Sequence, residues 1–505
     1  MSYMGLDLGG SGAKAAAFAS DGSVLAAAKV PYAIESPRRG CRELNPEAQW
    51  EAVADAIRAV TSTDVIRHNR IKAMGISVAG EAVVPVAEDR TPLYNSVPSF
   101  DLRGCEYVPL LQDRIGEEEI FRITGQPLDG MYSLMRILWF RDKMPEIFRK
   151  TWKFCLWQEL VLLRLGLEPS IDYSNAARTL AFDIHTSKWS AVILEALDIA
   201  DDLFAPPVPQ GSALGTVGGR IADELGLPSN CVVVAGGLDQ STASLGLGVV
   251  DNKTTAIGTG SVEAVSIPVR NTDALRSEGE QYLFVTPYSP GGFLGTGLNF
   301  TAGSAIEWFR SLVGAVSVDE MALPDGDPVE YLAPPSVFVL PQFAGSFSPR
   351  RNTAARAAIL GLSLATTRAD LLKALIVGLV FELRLTIEGM ERAGLAVSEI
   401  RNGGGGSRSD LWMRLKATIL NRPIWLPQVV DSSCLGAALL AGVADGTFSD
   451  CSSAVMAMVR MERQYEPESV VAGEYDGRYE EYRATREVLD GEKCVSAWQS
   501  APGEQ

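Results

Sequence analysis

A carboxylate at the end of a predicted strand is the first candidate for chemistry. Asp239 follows the apolar run 232–234 and the pair Gly236-Gly237, which lets the backbone turn tightly and lie close to a ligand. Open α/β sheets place their binding sites at such strand ends. A solvated aspartate in an ordinary loop explains this window equally well, so other parts of the chain must decide.

A second carboxylate, Asp7, lies inside the predicted strand 3–8, where an acidic residue normally has a partner. The turn that follows contains Gly10 and Ser11, and Lys14 comes just behind it. Successive backbone N–H groups in such a turn suit phosphate oxygens. A tight hairpin with a satisfied aspartate is the alternative interpretation of this motif.

Composition restricts the chemistry further. The chain has 505 residues, a net charge of -17, two histidines and seven scattered cysteines without a CxxC pair. These features disfavour a Ser-His-Asp triad, a histidine-rich metal centre, a thiolate zinc site, a disulfide framework and a nucleic-acid partner. An anionic ligand would need a local cation or a metal ion to offset the repulsion from this net negative charge. The most apolar windows are too short to span a membrane and no leader opens the chain, so we expect a cytoplasmic protein.

Length and periodicity place these candidates in a two-part α/β chain. A chain of 505 residues is too long for one core, and we expect domains over 1–248 and 249–450. The charged remainder, 451–505, is expected to pack on the second domain or to fray. Each half shows a strand, a glycine turn and an acid or hydroxyl, which is an approximate duplication of architecture. Strands are expected over 3–8, 13–18, 24–31, 71–77, 232–234, 254–259 and 293–298, and helices from Asn45-Pro46 and over 367–391, 409–420 and 433–446.

A run of glycines in the second half indicates a nucleotide site. The four glycines 403–406 stand between the short strand expected at Ile400-Arg-Asn402 and the helix expected over 409–420. A strand, a glycine turn and a helix start, in that order, form a common cradle for phosphate groups. We favour this interpretation because four consecutive glycines are hard to explain by packing alone.

Four motifs occur in register along the chain: Asp7-Leu-Gly-Gly-Ser11, Gly236-Gly237-Leu-Asp239-Gln240, Gly258-Thr259-Gly260 and the segment 403–412. Together they resemble the motifs of the FGGY carbohydrate kinases. The likeness runs from the first strand to about Gly446 and includes the stretches 172–179 and 299–303. No single motif is decisive, and the argument depends on all four being in order.

The resemblance implies the fold class α/β, with two actin-like, ribonuclease-H-like domains around a central cleft. It implies that the second domain mainly holds ATP and that the first holds a sugar or polyol. Asp239 matches the family's catalytic base, and Asp7 matches the acid that helps hold Mg²⁺, with Asp239 as the second carboxylate. Such a site suits phosphoryl transfer, in which the protein chiefly aligns the acceptor and the phosphate and neutralises charge.

The resemblance also implies contact residues for both substrates. The positions that match the family's nucleotide contacts are Gly10, Ser11, Lys14, Thr259, Gly260, Gly303, Glu307, Gly404, Gly405 and Ser409. Those that match its acceptor contacts are Glu81, Asp101, Arg103, Met131, Asp239 and Gln240.

Departures from the family pattern bear on the acceptor. Ser99 stands where many members have tryptophan, Gly80 where glycerol kinases have arginine, and Met131 where they have tyrosine. These smaller residues predict a roomier pocket, so we expect a ketopentose such as xylulose. Glycerol or another polyol is the alternative acceptor, and Glu81 agrees better with that choice.

A second class of function remains open: a non-catalytic protein of the same fold that senses a sugar or a nucleotide. Retention of both Asp7 and Asp239 favours the enzyme. We expect a small-molecule substrate, ATP and Mg²⁺, with no nucleic-acid or membrane partner. A homodimer is an open option.

Overall fold

Two mixed sheets organise the chain, and the strands of each come from one half of the sequence. The computed structural model describes residues 2–38, 40–272, 283–314 and 332–491. The first sheet has six strands, in the spatial order Ala213–Thr216, Val232–Leu238, Ile71–Val78, Ser2–Gly9, Gly12–Ala19 and Val24–Pro31. The second has seven, in the order Phe284–Pro287, Phe293–Asn299, Glu263–Val269, Thr254–Thr259, Glu399–Gly403, Ile424–Pro427 and Met461–Tyr465.

The two sheets share one topology. In each, an antiparallel run of three strands is followed by two further parallel strands and then by one antiparallel edge strand. The second sheet adds Phe284–Pro287 at its other edge. The duplication that the sequence suggested is therefore present in the strand order.

Helices cover the sheets and fill the connections between strands. In the first half they are Pro46–Thr61, Asp64–His68, Val108–Arg114, Glu117–Thr124, Ser133–Lys143, Pro145–Lys150, Trp157–Arg164, Tyr173–Ala177, Ala191–Leu197, Gly219–Leu225 and Asp239–Gly246. In the second half they are Gly303–Val313, Arg368–Arg392, Asp410–Leu420, Ser432–Ala444, Cys451–Met458 and Ser469–Leu489. Short strand pairs join Val84–Val86 to Lys153–Cys155, Ile171–Asp172 to Pro207–Val208, Phe182–Asp183 to Lys188–Trp189, and Phe338–Leu340 to Ala358–Leu360.

Local signals in the sequence located several helix ends correctly. The Asn45 side chain accepts hydrogen bonds from the first turn of the helix that Pro46 begins. Thr367 and Asp370 form the expected capping box, and Gly394 lies beyond the helix with a φ of 81°. Within the described ranges, the structure contains no helix that is long and apolar enough to cross a membrane.

Two crossing helices connect the halves. The first crossing helix, Asp239–Gly246, follows a strand of the first sheet and also contacts strands of the second sheet. The second crossing helix, Ser432–Ala444, comes from the second half but packs on the strands of the first sheet. The expected boundary at residue 248 therefore separates the strands of the two sheets, but the crossing helices pack across it.

Glycines let these helices approach closely. A Cβ added to Gly436 of the second crossing helix would lie 1.8 Å from the carbonyl oxygen of Thr242. A Cβ added to Gly5 or Gly75 of the first sheet would lie about as close to backbone carbonyls of the second crossing helix. Larger side chains at these positions would push the helices away from the sheet.

The C-terminal segment is packed rather than frayed as far as residue 491. Met461–Tyr465 is the edge strand of the second sheet. The helix Ser469–Leu489 buries three tyrosines around Phe381, namely Tyr475, Tyr479 and Tyr482. Within the tail expected over 451–505, the helix Cys451–Met458 packs on the two crossing helices and the helix Ser469–Leu489 packs in the core of the second half. The residues after 491 lie outside the described ranges.

Candidate active site

The two predicted aspartates lie at the same end of the first sheet. Asp7 is paired in register with Ser77 of the neighbouring parallel strand, and Ser77 is paired with Gly237 of the next one. Strands lie about 4.8 Å apart, so Asp7 is about 10 Å across the sheet from the strand that Asp239 follows. The two side chains therefore project from the carboxyl ends of strands separated by a single strand.

A chain of hydroxyl groups links these two positions. The Ser77 hydroxyl donates to Asp7 Oδ1 at 3.4 Å and lies 2.6 Å from the Thr242 hydroxyl. Thr242 is on the first crossing helix, whose first residue is Asp239. The relative positions of the two carboxylates are thus fixed by buried hydrogen bonds.

Burial and neighbouring charge both act on Asp239. Desolvation is the largest cause, and Asp7 and Glu81 add negative charge nearby, which together raise the pKa of Asp239 to about 8. The Gln240 N–H, which donates to Asp239 Oδ1 at 2.8 Å, and the Arg178 cation act in the opposite direction. A carboxyl group with such a pKa can take up and release a proton near neutral pH.

Burial also raises the pKa of Asp7, and Lys14 opposes that effect. Lys14 Nζ lies 3.8 Å from Asp7 Oδ2 and donates to Asp431 Oδ1 at 2.8 Å. Asp431 immediately precedes the second crossing helix. Lys14 therefore joins the glycine turn of the first half to the second half.

Glu81 lies near Asp239, because a Cβ added to Gly80, the residue before Glu81, would lie 2.9 Å from Cδ1 of Leu238, the residue before Asp239. The Glu81 charge helps to raise the pKa of Asp239. The φ of Glu81 is 68°, in the left-handed region that residues other than glycine rarely adopt. Backbone strain of this kind is concentrated at functional sites. The Glu81 carboxylate is bound by Arg178, a buried residue that the sequence analysis had assigned no role. No local pattern around Arg178 indicates this long-range pairing.

The prediction of a roomier pocket at Gly80 is wrong. A Cβ added to Gly80 would lie 2.9 Å from Leu238 Cδ1 and 3.2 Å from Arg178 Cγ. Arg178 therefore fills the space in which a side chain at position 80 would stand. Met131 does lie beside this group, because Arg178 Nη2 is 3.8 Å from the Met131 sulfur.

Asp101 and Arg103 bind each other rather than facing an open site. Arg103 donates from Nε and Nη2 to the two oxygens of Asp101 at 2.8 and 3.0 Å, and its Nη1 donates to Glu43 at 2.7 Å. Both residues are buried, and Arg103 also stacks on Trp139. The geometry gives them a structural role, and direct contact with an acceptor stays a prediction without support from these contacts.

The glycine turns of the second half come together around Thr259 and Gly260. A Cβ added to Gly404 would lie 2.6 Å from the Thr259 carbonyl oxygen, and one on Gly303 would lie 2.6 Å from that of Gly260. Gly406 is equally close to the Thr259 side chain, whereas Gly405 has no atom within 4 Å. Packing thus explains Gly404 and Gly406, contrary to the expectation from sequence, and Gly405 is open to a ligand.

The Thr259 side chain is buried and already bonded. Its hydroxyl donates to Glu263 at 2.8 Å and accepts from Lys416 Nζ at 2.8 Å. Lys416 also donates to Glu263 at 2.7 Å and to Asn402 at 2.8 Å, and it is fully buried. Any contact of Thr259 with a ligand would therefore use its backbone, and Lys416 is a further residue that the sequence analysis missed.

The other predicted nucleotide residues lie on turns and helix starts. Ser409 caps the helix Asp410–Leu420, with its hydroxyl accepting from the Trp412 N–H at 3.4 Å. Glu307 is exposed and pairs with Arg310 at 2.8 Å on the helix that Gly303 begins. Gly10 and Ser11 form the turn between the first two strands. These positions remain available to a nucleotide.

Carboxylates at one end of a sheet can hold a hard cation. Among the described residues there is no cluster of three or more His, Cys, Asp or Glu side chains suited to a metal. Mg²⁺ does not need one, because it is usually held by one or two carboxylates together with phosphate oxygens and water. Asp7 and Asp239 fit that requirement.

Two sheets of one topology, with a carboxylate pair in one half and a glycine-turn cluster in the other, define a two-domain phosphotransferase. Comparison with known families agrees. The model of the N-terminal domain of the FGGY family of carbohydrate kinases matches residues 2–246, and that of the C-terminal domain matches residues 255–444. The chain belongs to the FGGY family of carbohydrate kinases.

Named relatives cover nearly the whole chain. The chain is 25% identical to the xylulose kinase of Bacillus subtilis (strain 168) over 486 residues, 96% of either chain. It is 28% identical to the glycerol kinase of Thermococcus kodakarensis over 478 residues, 92% of either chain. The solved structure of a xylulose kinase from Lactobacillus acidophilus matches with a TM-score of 0.84 at 22% identity, covering 97% of this chain and 99% of that one.

These findings confirm several predictions. The fold is α/β with two actin-like domains, and the protein is an ATP-dependent sugar kinase that transfers phosphate to an alcohol group. ATP is the phosphate donor.

Proposed function

We propose that the protein phosphorylates a hydroxyl of a ketopentose such as xylulose, with Asp239 as the catalytic base. The observation that carries the proposal is the position of Asp239 at the end of its strand, one strand away from Asp7 and within range of its charge. Glu81 and Gln240 would contact the acceptor. The glycine turns around Gly260 and Gly405 would hold the nucleotide.

The chemistry follows from the free atoms of the site. Asp239 Oδ1 accepts the Gln240 N–H, so Oδ2 is left to accept the proton of the acceptor hydroxyl. As the oxygen of the acceptor hydroxyl bonds to the γ-phosphorus, the bond between the γ-phosphorus and the β-γ bridging oxygen breaks and ADP leaves. The transition state is loose, so alignment by Asp239 and the glycine turns contributes more than basicity.

Asp7 and Asp239 would hold Mg²⁺ with the phosphates of ATP. The bound ion would neutralise phosphate charge and favour the ionised form of the neighbouring Asp239. Lys14, held between Asp7 and Asp431, adds a positive charge at the first glycine turn. In a chain of net charge -17 these cations are needed to bind ATP.

Relatives named for xylulose and for glycerol support different acceptors. Because Arg178 fills the space beside Gly80, a smaller residue at that position is no argument for a larger sugar. Glycerol or another polyol is therefore the alternative acceptor. We place the protein in the cytoplasm, where ATP and small phosphorylated sugars are available.

An ADP-release assay over pentuloses, hexuloses, alditols and glycerol tests the proposal. Turnover should depend on Mg²⁺ and should be highest with a ketopentose. If glycerol is used far more efficiently than any ketopentose, a polyol is the acceptor instead. Lack of turnover with every acceptor would overturn the proposal.

A further inference from the structure

Arg178 is the most heavily engaged charged group near Asp239. It is 3% exposed and follows the helix Tyr173–Ala177. Its guanidinium group binds the Glu81 carboxylate and donates from Nη1 to Gln126 Oε1 at 2.7 Å. Its positive charge also lowers the pKa of Asp239, against the larger effect of burial. A cation in this position can control both the shape and the charge of the acceptor side.

Arg178 binds only one of the two carboxylate oxygens of Glu81. Both Nε and Nη2 of Arg178 approach Glu81 Oε1. In the described part of the chain, no group donates to Glu81 Oε2. Glu81 is further fixed because its carbonyl oxygen accepts from the Ser133 hydroxyl at 3.0 Å. Glu81 therefore keeps one oriented oxygen for an acceptor hydroxyl.

Both halves of the molecule hold Arg178. Its guanidinium carbon lies 4.9 Å from the Tyr132 ring of the first half and 4.1 Å from the Phe284 ring of the second. Gln126, which accepts from Arg178, donates to the Val285 carbonyl oxygen at 2.7 Å. Phe284 and Val285 belong to an edge strand of the second sheet. The position of the cation is therefore supported by residues from both halves.

We propose that Arg178 is a positioning and specificity residue: it orients Glu81 toward an uncharged acceptor and cancels its charge. This inference rests on the proposed function. Since Glu81 neutralises Arg178, no net positive charge is left for an acceptor carboxylate, and Asp239 would repel one. The site then selects ketoses and polyols over sugar acids of the same size.

A buried ion pair that only joins the halves is the competing explanation. Such a pair is weak evidence for stability, because desolvation offsets much of the attraction. If Arg178 were only structural, its loss would affect ATP and the acceptor alike.

Three variants separate these explanations: Arg178→Met, Arg178→Lys and the control Arg422→Gln, which breaks a pair with Glu391 at the surface. In Arg178→Met we expect the KM of the acceptor to rise about 10- to 100-fold, as for loss of hydrogen bonds to a charged group, with the KM of ATP within about twofold. Arg178→Lys keeps the charge but loses the two-nitrogen grip, so its KM should also rise. Arg422→Gln should match the wild type.

The ratio of the two KM values gives a readout that a structural role would not change. In Arg178→Met the KM of the acceptor should rise while the KM of ATP stays nearly constant, and restoring the positive charge in Arg178→Lys should recover part of that loss. The wild type should use a ketopentose far better than the corresponding aldonate. Equal rises in both KM values, or efficient use of the aldonate by the wild type, would overturn the inference and leave the proposed kinase intact. No turnover by the wild type would overturn both.

Discussion

Asp7 and Asp239 lie at the carboxyl ends of two parallel strands that flank the strand of Ser77. Ser77 donates to Asp7 and shares a hydrogen bond with Thr242, one turn after Asp239. This arrangement brings together two acids that are 232 positions apart in the sequence. It is the structural basis for assigning them to one site.

Replacing Asp239 by asparagine should remove most of the activity. Asparagine keeps the size and accepts the Gln240 N–H but cannot take the acceptor proton, so we expect kcat to fall about 10²- to 10⁴-fold. Steady-state ADP release measures this. An unchanged kcat would remove Asp239 from the role of base.

The rate should rise with pH across the neutral range. Asp239 must be ionised to accept a proton, and its pKa in the unliganded protein is raised to about 8. We therefore expect kcat/KM to increase from pH 6 through pH 8 and to level off only above about pH 9. Saturation with Mg²⁺ and ATP should move the acidic limb of the pH profile of kcat to lower pH, because the positive charge of the ion favours the ionised carboxylate of Asp239. A flat profile over this range would contradict the assignment.

Asp239 should also cost stability at alkaline pH. Its folded-state pKa of about 8 lies above the value of 3.8 for an unperturbed group, so the folded protein is stabilised below pH 4 and loses that stability as pH rises through 8. Asp239→Asn should then be more stable than the wild type at pH 9, by up to about 6 kcal/mol for a pKa raised from 3.8 to about 8, and nearly equal at pH 4. Urea unfolding at the two pH values measures the difference, and a constant difference would count against the raised pKa.

Lys416 should hold the second-half turn in place. Replacement by methionine leaves Glu263 buried without its cation, which should destabilise the protein by about 3–5 kcal/mol. It should also raise the KM of ATP more than that of the acceptor, because Thr259 loses a partner. Denaturant unfolding and kinetics measure these effects. The double variant Lys416→Met with Glu263→Leu should recover much of the stability; no recovery would mean that the charge pair is not the cause.

The contact between the crossing helices should not tolerate a methyl group. A Cβ at position 436 would lie 1.8 Å from the Thr242 carbonyl oxygen, so Gly436→Ala should lower stability by about 1–3 kcal/mol or more. Gly473 is a matched control, since it is an exposed helical glycine with no atom within 4 Å of an added Cβ. Gly473→Ala should raise stability by about 0.5–1 kcal/mol. Similar melting temperatures for both variants would contradict the close packing.

Features set by neighbouring residues could be predicted from the sequence. The Asn45 cap, the capping box of Thr367 and the strand before Asp239 each depend on a few adjacent positions. The tyrosines 475, 479 and 482 also have helical spacing, a signal that would have indicated a packed C-terminal helix.

Features that depend on distant contacts could not be predicted. Arg178 binds Glu81 from 97 positions away, and Lys416 reaches Thr259 across 157. Gly404 needs its small size because of Thr259, a neighbour only in the folded chain. Sequence spacing identifies the candidate acids, but it does not show which polar groups are already satisfied.

The central claim is that Asp7 and Asp239 form one phosphoryl-transfer site. A crystal structure with Mg²⁺, a non-hydrolysable ATP analogue and the best acceptor tests it most directly. We expect the ion to be held on Asp7 or Asp239, directly at about 2.1 Å or through one water, and an acceptor hydroxyl within about 3 Å of Asp239 Oδ2. An ion and an acceptor bound away from both carboxylates would contradict the account.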